Sequence, residues 1–155
     1  MSASARRLLV ALGVFVLQWL ILGRLRLWGA YPDAVLLFLA WYALREGRQR
    51  GTLTGFALGT LMDVVYGTWG IHMFVKTLVG FGVGSFAIDE RAALRIRPLQ
   101  AVLGSLAVAL LHNGLLVVLL ALQTEATSGF LIYGLWLGSA AYTAAVGYLS
   151  SLFMQ

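Results

Sequence analysis

The sequence predicts an all-α integral membrane protein with six transmembrane helices, the second and third short or broken. Three observations predict it. The chain is 61% hydrophobic and only 11% charged, with mean hydropathy +0.88, whereas a soluble domain carries about 25% charged residues. Its apolar residues fall in runs, and its charges collect in short segments between them. Several of the five Trp and six Tyr stand where those runs end, as anchors at a membrane interface do. No polar segment is long enough to form a folded domain outside the bilayer. Residues 1–155 therefore read as a single transmembrane domain.

The first span is residues 8–23, apolar except for Gln18 and preceded by Arg6 and Arg7. A cleaved signal peptide begins similarly, but Arg24 and Arg26 follow where a small-residue cleavage site would stand, so a retained span is expected. The second span, 27–44, contains Pro32 and Asp33, and the apolar run after them is too short for an ordinary crossing of about 20 residues. A basic loop with Arg45, Arg48 and Arg50 separates it from a short third span, 52–66. Gly67 to Gly70 form a turn, and the fourth span, 71–88, carries Lys76. A second charged loop holds Arg91, Arg95 and Arg97; spans 99–122 and 129–153 follow, the fifth with His112 and Asn113 near its middle. Five spans with one re-entrant segment is the alternative topology.

Arginine placement orients the chain. Eight arginines lie on the side of the N-terminus and of the loops at 45–50 and 89–98, against Arg24 and Arg26 opposite. By the positive-inside rule both termini are cytoplasmic. The net charge of +5 then reflects topology and contact with anionic lipid head groups, without nucleic acid. The chain has no cysteine, which removes disulfides, thiol catalysis and thiolate metal sites.

The most informative stretch is 51–72, where Gly51, Gly55, Gly59, Asp63 and Gly67 recur every four residues. Such positions form a slowly turning stripe on a helix. That many glycines weaken a helix in water, by about 1 kcal/mol each. In a bilayer, small residues four apart let a second helix approach closely. Gly80 and Gly84 repeat the spacing on the fourth span, and Gly134 and Gly138 on the sixth. Two occupants suit this face: another helix of the same chain, or a partner's helix. The expectation carried forward is a partner-helix groove at Gly51, Gly55, Gly59, Gly80 and Gly84.

Asp63, Gly67, Trp69, Gly70, His72 and Lys76 make up the polar motif around the turn. A charge at mid-bilayer costs at least about 2.5 kcal/mol, so such residues pair, face a cavity or snorkel to water. The hairpin between the third and fourth spans offers Lys76 as an ion-pair partner for Asp63, with a ligand-linked role as the alternative. His72, His112 and Asn113 are read as structural hydrogen-bonding residues; one His with one Asn is not a metal site. No nucleophile with a base, phosphate-binding loop or catalytic carboxylate pair is recognisable. No enzyme activity, metal or cofactor is expected.

These residues resemble a known family. A small six-span chain with a short basic N-terminus, carrying Gly55-x3-Gly59-x3-Asp63-x3-Gly67-x2-Gly70 before an apolar span, is similar to MreD, the bacterial rod shape-determining membrane proteins. Residues 51–84 carry most of the likeness, and the two-residue step Thr68-Trp69 between the last two glycines departs from the usual turn. The resemblance implies a non-catalytic scaffold of the cell-elongation machinery in the bacterial cytoplasmic (inner) membrane. It implies a role in rod shape and lateral peptidoglycan synthesis. The implied partners are a single-span MreC-like protein, RodA with its transpeptidase, MreB, and membrane lipids. It implies a fold similar to the substrate-binding subunits of energy-coupling-factor transporters. A small-molecule-binding subunit of that transporter type is the alternative function. It requires an outward cavity lined by polar groups near Asp63, Lys76 and His72.

Overall fold

A computed structural model describes residues 3–25, 27, 30–68, 70–88, 97–124, 129 and 131–152. Trp69, most of the second charged loop and residues 125–128 lie outside the described residues. The described chain forms six α-helices, a 3-10 turn and a π-helical segment, with no strand.

Helix α1, Ala3–Leu20, follows the first apolar run and ends in a 3-10 turn at Leu22–Arg24. The sequence predicts a short or broken second span over 27–44, with Pro32 and Asp33 inside it. In the structure helix α2 covers Ala34–Glu46, and before it Leu27 and Ala30 exchange both backbone hydrogen bonds at 2.9 Å in a tight turn. Pro32 and Asp33 set this boundary. Proline disfavours helix in the residue before it. Asp33 caps α2, its carboxylate accepting from the Leu36 N–H at 2.7 Å.

Gly47 alone joins α2 to α3, Arg48–Tyr66. Gly67 (φ 69°) closes α3 in the left-handed conformation, and its N–H returns to the Asp63 carbonyl at 2.8 Å. Gly70 (φ 91°) opens helix α4, Ile71–Gly84. Both angles lie where side chains are disfavoured, so the two glycines make the turn possible. Helix α5 is Pro98–Thr124, with proline at the first position, where its missing N–H is harmless. The π-helical segment Leu131–Gly138 then runs into α6, Ser139–Leu152.

The short helix α2 is the centre. One of its faces packs Leu36 and Leu39 against Val75 and Val79 of α4, Ala109 of α5 and Ala140 of α6. The opposite face packs Val35 and Phe38 against Leu58 and Met62 of α3 and Val14 and Phe15 of α1. The exterior is unlike that of a soluble protein: Leu9, Leu53, Phe56, Phe74 and Leu103 are exposed, while Gln18, Asp33, Asp63, His72, Lys76 and His112 are buried beside the apolar clusters. An apolar exterior, with polar groups turned inward and paired there, is what a lipid solvent requires. Two segments, Ala5–Arg24 and Leu99–Leu122, are long and apolar enough to cross a bilayer on their own; Ile71–Gly84 is apolar but shorter.

Candidate functional site

The glycine stripe of α3 lies against α4 of the same chain. A Cβ on Gly51 would stand 2.6 Å from the Gly80 carbonyl oxygen, and one on Gly59 would stand 2.5 Å from the His72 carbonyl oxygen. On Gly55 it would overlap the Lys76 carbonyl, and on Gly80 the Gly51 carbonyl. Gly84 faces the Arg48 backbone at 2.7 Å by the same measure. The partner-helix groove expected at these five positions is therefore filled from within. The two glycine faces meet across the hairpin, and only hydrogen fits between the backbones. The small spacing on the last segment is used similarly: a Cβ on Gly138 would stand 3.1 Å from that of Ala30.

Asp63 sits in the last turn of α3, directed at the start of α4. Gly70, at the N-cap of α4, has no side chain to satisfy the first backbone N–H groups. Asp63 supplies the missing cap from the neighbouring helix. Its Oδ2 accepts from the N–H of Gly70 at 3.0 Å and of Met73 at 2.9 Å, and its Oδ1 accepts from the His72 N–H at 2.9 Å. Thr68 donates its hydroxyl to Oδ1 at 2.9 Å, and His72 Nδ1 lies 3.1 Å from the same oxygen. A carboxylate on a helix N-terminus is also favoured by the helix dipole.

Lys76 does not pair with Asp63. One helical turn further along the same face of α4 as His72, its long side chain reaches past α3 to the start of α2, where its Nζ meets Asp33 Oδ2 at 2.6 Å. Lys76 is fully buried and Asp33 nearly so. The same ammonium lies 3.3 Å from His112 Nε2, and His112 Nδ1 lies 2.9 Å from Asn113 Oδ1. An ammonium can only donate, so Nε2 is the acceptor and Nδ1 carries the proton toward Asn113. The break before α2 is secured around this pair. Gln18 donates to the Pro32 carbonyl at 2.9 Å and accepts from the Ala34 N–H at 2.8 Å. The N–H groups of Asp33 and Tyr31 reach the Thr143 and Ser139 hydroxyls at 3.1 and 3.2 Å. This second knot joins α1, α2, α4, α5 and α6.

Sequence reasoning placed Asp33 only as a feature of a broken span, and gave Gln18, Ser139 and Thr143 no role. Two signals were present: Gln18 interrupts an otherwise apolar run, and Asp33 directly precedes one. Among the described residues, no three His, Cys, Asp or Glu side chains converge as a metal site would require. Every buried side-chain nitrogen and oxygen described has a hydrogen-bond partner.

Above the knot, at the outer ends of the helices in the predicted topology, lies a cavity of about 220 Å³. Tyr31, Tyr66, Thr68 and His72 give it polar groups, and Leu116, Leu120 and Leu135 give it an apolar wall. At the opposite, arginine-rich end, Glu46 pairs with Arg7 at 2.8 Å and with Arg50, and Arg45 lies over the Trp41 ring.

A family model for the rod shape-determining protein MreD matches residues 6–154, nearly the whole chain. No curated protein and no solved structure matches it.

Proposed function

Since the chain belongs to the MreD family, a bacterial membrane family of rod shape determination, we propose that it is a non-catalytic, multi-pass scaffold of the cell-elongation machinery in the cytoplasmic membrane. Its termini face the cytoplasm. A single-span MreC-like protein is its principal partner, and through it the chain supports lateral peptidoglycan synthesis by RodA and its transpeptidase, in register with MreB. The family match is the observation that carries this proposal. Two structural features support it. The strongest polar groups, Asp63 and the Lys76–Asp33 pair, are engaged in holding helices together, so the molecule reads as a rigid platform. Its exposed surface is lined with large apolar side chains on α1 and on the α3–α4 hairpin, suited to lipid and to another membrane helix.

The partner's helix belongs on those outer surfaces, because the glycine face is occupied. Leu53 and Phe56 of α3 and Phe74 and Phe81 of α4 are exposed beside that buried seam. The arginine-rich end suits anionic lipid and cytoplasmic partners. The geometric demand of the transporter alternative is met in part by the cavity at His72, but no match points to a transporter. The experiment is purification of the tagged chain from native membranes. Co-elution of a single-span protein in fixed ratio is the expected result. Co-elution of an ATPase-driven transport module, without such a protein, would overturn the proposal.

A further inference from the structure

We propose that the outer cavity is a binding site for an uncharged amphiphile with a hydrogen-bond-donating head. Its walls and the geometry of His72 point to that ligand. Nδ1 of His72 lies 2.7 Å from the Thr68 hydroxyl and 3.1 Å from Asp63 Oδ1. The Asp63 carboxylate can only accept and the Thr68 hydroxyl already donates to it, so Nδ1 carries the proton. In the neutral ring Nε2 is then an acceptor. No hydrogen bond to Nε2 is present among the described residues, and no buried side-chain nitrogen among them lacks a partner. Nε2 is therefore not sealed off from space, and His72 is one of the residues that line this cavity. The five hydrogen bonds on Asp63 hold the ring in place, so the acceptor is fixed before any ligand arrives.

The other walls define the rest of the ligand. No described charged side chain lines the cavity, so its described walls favour an uncharged guest. Leu116, Leu120 and Leu135 offer an apolar bed. The volume of about 220 Å³ is enough for a ring or a short chain with one polar head. Below it, a void of about 10 Å³ between Tyr31, Asp33, His112 and Asn113 has room for about one water. Such a water would link a bound head to the buried knot. A lipid's glycerol hydroxyl and a free phenol or alcohol share this chemistry. The site is separate from the partner surface proposed above, and either can fail without the other.

The test uses the full chain in nanodiscs, with fluorine NMR of three probes: 4-fluorophenol, 4-fluorotoluene and 4-fluorobenzenesulfonate. Saturable binding of 4-fluorophenol beyond that of empty discs is expected, with 4-fluorotoluene about fivefold weaker for want of one hydrogen bond, and the sulfonate unbound. Leu116→Trp, which fills the cavity, should abolish the saturable binding. His72→Phe should make phenol and toluene equal. Should His72→Phe fail to fold, Leu116→Trp still decides. Native mass spectrometry separates the sources: a lipid-mass adduct absent from Leu116→Trp assigns the site to a lipid, and saturable probe binding without that adduct assigns it to a soluble amphiphile. Binding equal to empty discs, or unchanged in Leu116→Trp, would overturn the proposal.

Discussion

Lys76 and Asp33 meet at 2.6 Å in a site from which solvent is almost excluded. Removing one partner of such a pair leaves an uncompensated buried charge, at a cost of about 3–5 kcal/mol. Lys76→Met or Asp33→Asn alone should therefore lower the thermal unfolding midpoint in detergent sharply. The double variant, which leaves no charge behind, should recover most of the loss. Asp63 differs, because its partners are mainly backbone N–H groups. Asp63→Asn keeps the shape but replaces one acceptor oxygen with an NH2 that faces other donors. Each buried donor so stranded costs about 1–3 kcal/mol. The first turn of α4 should then fray, seen as faster amide exchange at Gly70, His72 and Met73 while exchange in α5 is unchanged. That Asp63 and Lys76 each need a partner was legible in the sequence; which partner each finds was not. The choice depends on how α2 begins, and on His72 and Lys76 leaving one face of α4 a full turn apart, the first beside Asp63 and the second beside Asp33.

At the level of helices, the hairpin of α3 and α4 stands on hydrogen-sized contacts at Gly51, Gly55, Gly59 and Gly80. Gly55→Leu should prevent the close approach and reduce the yield of folded, monodisperse protein, with or without a partner present. Gly104, around which nothing lies within 4 Å, is the matched control. Gly104→Ala should leave the midpoint unchanged or raise it by the equivalent of about 0.5–1 kcal/mol. The four-residue spacing told of a close contact but not of its occupant, since a helix from the same chain and one from a partner impose the same demand. The turn was clearer, because Gly67 and Gly70 have positive φ and an asparagine-poor turn leaves few other residues able to adopt it. Asp33 as the start of α2 was half visible: Pro-Asp before an apolar run is a capping signal, but composition alone extends the span back to residue 27.

Across the whole molecule, an apolar exterior with the few polar groups turned inward follows from placing this composition in lipid, and the helical class was readable for that reason. The arrangement was less so. A 13-residue helix at the centre, touched by five others, offers no periodic signal of its own, because apolar residues cover both of its faces. Long-range hydrogen bonds such as Asp33 to Thr143 depend on this packing and leave no local trace. The same packing decides where a partner can bind: the smooth seam is closed, and the aromatic flanks of the hairpin and the side of α1 stay open. Photo-crosslinking in native membranes tests that claim most directly, with a photoreactive residue placed singly at Leu9, Leu53, Phe56, Phe74 and Phe81. An adduct with one single-span protein is expected from neighbouring positions on one of these faces. This placement of the partner would be contradicted if the partner co-purified with the chain, yet no outward position gave an adduct.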